Sequence, residues 1–194
     1  MKTSRLEAFS DGVIAILITI MVLELEAPHG HDVKALRPLL PVLLSYALSF
    51  VMLGIYWNNH HHMLHAAERI DGKVLWANLH LLFWLSLMPF ATAWMGRTSA
   101  APVPVAAYGA AQLLAAVSYL VLQTALIAAG DQHSRLATAV GSDAKGKLSM
   151  LAYALAIPLA FVQSWISLAL YVVVALAWLV PDKRIERVTP PDDA

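Results

Sequence analysis

The chain contains no cysteine, which excludes a disulfide framework, a thiol nucleophile and a thiolate metal centre. Charge is scarce too. Only 13% of the 194 residues are Asp, Glu, Lys or Arg, and the formal net charge is zero. So balanced a set offers no basic surface for phosphates, so no nucleic-acid partner is expected. No glycine-rich nucleotide loop, soluble domain or clear internal repeat can be read. A cleavable signal peptide is not expected, because the first apolar run is followed by Glu24-Leu25-Glu26 rather than by small residues.

What the chain has in abundance is long apolar runs. Hydrophobic residues make up 59% of it, the composition of a polytopic membrane protein. The runs fall at 6–25, 38–58, 74–95, 103–129, 147–161 and 164–180. The last two share one stretch, Leu148 to Val180, too long for one span and short for two. Pro158 and the polar pair Gln163-Ser164 mark the expected break. The reading is an all-α polytopic membrane protein with six transmembrane helices, a single domain over 1–187 and a disordered tail over 188–194. The loop from Gly130 to Gly146 reads as mobile.

Orientation follows from Lys and Arg placement. With the N-terminus inside, the inner segments hold Lys2, Arg5, Arg69, Lys73, Arg135, Lys145, Lys147, Lys183, Arg184 and Arg187. The outer loops hold Lys34, Arg37 and Arg97. Ten against three puts both termini in the cytoplasm.

The first run opens with Arg5, then Phe9-Ser10-Asp11-Gly12. A carboxylate beside a membrane helix costs roughly 3 kcal/mol at mid-depth and needs a partner. At about 100° per residue, Phe9, Ile16 and Leu23 fall on one line, flanked by Gly12, Thr19 and Ile20. Asp11 and Ser10 lie well off that line on opposite sides. The acid and the apolar stripe thus face different surroundings. Ser10 and Asp11 could equally cap an ordinary first helix. Arg5 is too far round the helix to pair with Asp11, so their partners must come from other helices or subunits.

Other polar residues need an explanation. Tyr56-Trp57-Asn58-Asn59-His60-His61-His62 is followed by His65. His61 and His65 are four apart on one helical face, a plausible ligand pair. No H-E-x-x-H pattern accompanies them, and no metal is expected at the run. A structural His bonded to Asp11 or Ser10 is the preferred role for one member. Asn78 and His80 read as interhelical packing glue, and Pro89 as a kink. Glu24 and Glu26, on either side of the stripe, mark an outer mouth that could concentrate cations.

Arg5, Phe9, Ser10 and Asp11 form R-x-x-x-F-S-D, Trp57 and His60 form W-x-x-H, and Asn78-Leu79 and Pro89-Phe90 follow. Together these resemble the transmembrane protein 175 family of endolysosomal potassium channels, in its single-repeat prokaryotic branch. The resemblance covers about the first half of the chain. It implies a potassium-permeable cation channel without a re-entrant filter loop, and nothing here resembles T-V-G-Y-G. It implies a pore lined by the first helix at the axis of a homotetramer, one repeat per chain. The narrowest ring then falls on Ile16, a hydroxyl layer on Thr19, and outer apolar rings on Ile20 and Leu23. Arg5, Phe9, Ser10, Asp11, Trp57, His60 and Asn78 become the motif network. The implied partners are the lipid bilayer of the cell membrane and potassium, with other monovalent cations as further candidates. No cofactor is implied beyond the permeant ions. An enzyme is not expected. The competing reading is a proton-coupled secondary transporter using Asp11 and a histidine, for which no pair of broken mid-membrane helices can be found.

Overall fold

A computed structural model describes residues 3–67, 69–130, 136 and 143–179. The described residues are helical throughout, with no strand among them. The helices are α1 (Thr3–Ile20), α2 (Leu40–His65), α3 (Gly72–Ser86), α4 (Met88–Arg97), α5 (Pro102–Ala129), α6 (Ala144–Val162) and α7 (Ser164–Leu179). Short 3-10 helices continue α1 at Met21–Glu24 and lead into α2 at Val33–Leu39.

The local chemistry accounts for the boundaries. Prolines sit in the first turns of α2, α4 and α5, where the missing N–H has no helical partner to lose. Asp71 caps α3 by accepting from the Val74 amide at 2.9 Å, and Asp143 caps α6 through the Gly146 amide. Pro89 cannot donate to Leu85, and the helix breaks at Leu87, between α3 and α4. The two halves still form one span, Gly72–Arg97, so the expected kink is present. Pro158, by contrast, lies inside α6. The break between α6 and α7 falls at Gln163, as expected, and its backbone is extended there. Ser167 stitches the two pieces together by donating to the Ala156 carbonyl at 2.7 Å.

Five spans are long and apolar enough to cross a membrane, and the shorter apolar α7 makes the sixth helix of the count. The chain is therefore a multi-pass membrane protein. The tail over 188–194 and most of the loop between Gly130 and Gly146 lie outside the described residues.

Packing divides the protomer. α5 is central, against α3, α4, α6 and α7. Its faces with α6 and α7 hold three buried tyrosines, Tyr108, Tyr153 and Tyr171. Tyr171 donates to the Val105 carbonyl at 3.0 Å and lies directly over Gly109, where any side chain would displace it. Ser49, Thr92, Tyr108 and Gln112 form a second buried polar patch joining α2, α4 and α5. α1 sits at the edge of the bundle, against α2, α3 and α4.

Candidate functional site

α1 has two contrasting faces. Leu6, Ser10, Ile14, Leu17 and, just beyond, Met21 are buried against the bundle. Every three or four residues the opposite face is open: Phe9 is 51% exposed, Ile16 61% and Leu23 75%, with Gly12, Thr19 and Ile20 between them. This is the stripe expected from the sequence. A Cβ on Gly12 would meet nothing within 4 Å.

The Thr19 hydroxyl donates to the carbonyls of Ala15 at 2.9 Å and Ile16 at 3.1 Å. Back-bonding of this kind is ordinary for a helical Thr. It also fixes the polarity of the group. With its proton turned to the backbone, the oxygen keeps lone pairs free for a cation.

The buried face carries a directed chain of hydrogen bonds. Ser10 Oγ donates to the Leu6 carbonyl at 2.9 Å. It must therefore accept from Asn78 Nδ2, also at 2.9 Å. That leaves Asn78 Oδ1 facing His60 Nε2 at 2.8 Å. An amide oxygen only accepts, so His60 carries its proton on Nε2. Ser10, Asn78 and His60 are all fully buried. They tie α1 to α3 and α3 to α2 where no water can substitute. His60 Nδ1 is buried without a hydrogen-bond partner among the described residues.

Asp11 is a correction to the expectation. His60 is bonded to Asn78 rather than to Asp11 or Ser10, and Asp11 Oδ1 accepts instead from Trp57 Nε1–H at 3.0 Å. Ser10 and Asp11 are consecutive, so they point to different sides of the helix and reach different neighbours. Glu24 is placed differently as well. Its carboxylate pairs with Arg97 at 2.6 Å, which neutralises it and ties the end of α1 to α4. Glu26 remains exposed, as does Arg5. His80 bonds within its own helix, accepting from Trp84 Nε1 at 3.0 Å, rather than to another helix among the described residues.

Sequence reasoning passed over Glu7. It lies one turn before Asp11 and approaches His61 Nδ1 at 2.8 Å and His65 Nδ1 at 3.9 Å. The signal was a spacing. Glu7 and Asp11 are four apart on α1, while Trp57, His61 and His65 are spaced by four on α2. Antiparallel helices bring such rows together rung by rung, but only once the helices are known to pack.

Comparison with known proteins bears on what this arrangement is for. The model of the family described as endosomal/lysosomal potassium channel TMEM175 matches residues 5–89. A potassium channel of Chryseobacterium sp. (strain P1-3) is 49% identical over 187 residues, covering 96% of this chain and 97% of that one. The chain belongs to the TMEM175 family. A potassium channel of Streptomyces collinus is 31% identical over 186 residues, with 90% of each chain covered. The likeness extends to three dimensions. The crystal structure of a lysosomal potassium-selective TMEM175 homologue from Chamaesiphon minutus matches with a TM-score of 0.81 at 29% identity, covering 93% of this chain and 97% of that one. TMEM175 proteins are ion channels and not enzymes.

Proposed function

We propose that the chain is one subunit of a homotetrameric, potassium-permeable cation channel, with α1 of each subunit around the axis. The observation that carries this is the divided surface of α1. A helix at the protomer's edge buries one face completely and leaves Phe9, Gly12, Ile16, Thr19, Ile20 and Leu23 open in one register. Four such stripes facing each other form a lumen with bulky rings at every second turn.

Ile16 forms the constriction in this reading. Four branched side chains on an axis leave little room for a hydrated ion and offer no ligand to a bare one, so the ring gates by dewetting. One turn outward, the Thr19 oxygens supply a polar layer that can replace part of an ion's water shell. Ile20 and Leu23 continue the apolar wall. Of the motif network, Ser10, Asp11, Trp57, His60 and Asn78 hold α1 at the angle that presents the stripe, while Arg5 and Phe9 stay exposed. Glu26 is left as the acidic residue of the outer mouth, since Glu24 is neutralised by Arg97. Both termini are cytoplasmic, by the distribution of Lys and Arg.

Unitary current in a planar bilayer tests the proposal. We expect discrete openings carrying on the order of a million ions per second or more, a flux set by passage through a wetted pore. Coupled transport through Asp11 and a histidine would give only a slow, pH-gradient-driven flux without unitary steps, and that result would replace the channel reading.

A further inference from the structure

We propose that Glu7, His61 and His65 form a binding site for a divalent transition-metal ion of the zinc class, joining the N-terminal part of α1 to the C-terminal end of α2. One ligand atom from each residue lies within 4.8 Å of the other two. Glu7 Oε1 is 2.8 Å from His61 Nδ1 and 3.9 Å from His65 Nδ1. Ligand atoms about 2.1 Å from a tetrahedral ion lie about 3.4 Å apart. Both separations are within about 1 Å of that spacing, a rotamer adjustment rather than a movement of helices.

The donor set selects the ion. Two imidazole nitrogens and one carboxylate oxygen suit zinc and its transition-metal neighbours, and they leave a fourth position for water. Calcium and magnesium prefer sites made wholly of oxygen. The proton balance is simple. His61 Nδ1 now faces the carboxylate at hydrogen-bond distance. Ligation through Nδ1 requires the neutral ring to carry its one proton on Nε2, so the proton between ring and carboxylate moves to Nε2 through solvent as the ion takes its place.

The surroundings favour a formed site over a chance surface pair. His61 and His65 are one turn apart on the same helix, with ring centroids 5.5 Å apart. His61 also stacks on Trp57 at 6.1 Å, and Trp57 is held by Asp11. Glu7 is mostly covered, at 18% side-chain exposure, while His61 at 38% leaves a route for the ion. A bound ion would replace the Glu7–His61 contact with a stronger tie between α1 and α2, beside the Asp11–Trp57 bond and the Ser10–Asn78–His60 chain. It would restrain the helix proposed to carry the constriction. That restraint rests on the channel reading, whereas the metal binding does not.

Calorimetric titration of full-length, tag-free protein in detergent with zinc chloride tests the site. We expect one ion per chain and no binding of magnesium chloride under the same conditions. His65→Gln and Glu7→Gln should each weaken binding roughly tenfold or more, and His29→Ala with His31→Ala, in the exposed outer loop, should not. A zinc-dependent rise in the unfolding temperature of the wild-type protein, absent in His65→Gln, is the second readout, and it is read only if the variant's metal-free transition is intact. Unchanged affinity in both ligand variants, or loss confined to the outer-loop variant, overturns the site. Bilayer recordings with zinc on the N-terminal side should show reduced current in the wild type and not in His65→Gln. Calorimetric binding without that reduction overturns the restraint alone.

Discussion

At the scale of single residues, burial decides which polar group matters most to the fold. Asn78 is fully buried and serves two partners at once. Asn78→Ala strands the His60 Nε2–H and removes the donor to Ser10, at roughly 1–3 kcal/mol for each group left unsatisfied. Asp11 is only partly buried and, among the described residues, its side chain has one hydrogen bond, from Trp57. Thermal unfolding in mild detergent should therefore show a larger loss for Asn78→Ala than for Asp11→Ala. Adding Ser10→Ala to Asn78→Ala should cost less than Ser10→Ala alone, because the shared bond is already gone. Equal losses for the two single variants would mean that the buried chain does not dominate.

The residues proposed to line the lumen make a separate prediction. Ile16→Asn should wet the ring, enlarge the current and bring sodium and potassium closer together in permeability. Thr19→Val keeps the shape and removes only the hydroxyl, so it should lower selectivity without enlarging the current. Reversal potentials under a potassium–sodium gradient measure both. An unchanged reversal potential in the Ile16 variant would move the filter to the Thr19 layer.

At the scale of elements, the contact between α2 and α4 depends on one residue without a side chain. A Cβ on Gly96 would lie 2.8 Å from the Val42 Cα and 3.4 Å from the Ser45 Cβ. The first of these is backbone and cannot turn aside. Gly96→Ala must push α2 from α4, at a cost of about 1–3 kcal/mol. Gly54→Ala is the matched control, since a Cβ there meets nothing within 4 Å of the protomer. A helix-interior Gly→Ala change gains up to about 1 kcal/mol. Unfolding temperatures should move in opposite directions. If both fall together, helix spacing is not what Gly96 protects.

At the scale of the whole molecule, the apolar edge of α1 needs something to face. Four copies around an axis would bring the four residues at position 16 together. A single cysteine replacing Ile16 has no competitor in a chain without cysteine. Oxidation in membranes should give disulfide-linked dimers, and Leu148→Cys, on an exposed site of α6, should give far fewer. Equal yields at the two sites would place α1 against lipid rather than against its own copies.

The sequence by itself determined the six apolar segments, the break before Ser164, the interruption near Pro89 and the two faces of α1. These follow from periodicity, length and proline chemistry, which act over a few residues. It also supplied R-x-x-x-F-S-D and W-x-x-H, enough to identify the family. Only the tertiary structure decided the partners. That Asp11 meets Trp57, that Asn78 serves both Ser10 and His60, and that Glu24 spends its charge on Arg97 depend on how the helices are rotated and how deep they sit. A rotation of one residue would redirect every bond by about 100°. The meeting of Glu7 with His61 and His65 has the same origin. Each row is visible along its own helix, but nothing local says that α1 and α2 lie side by side in that register.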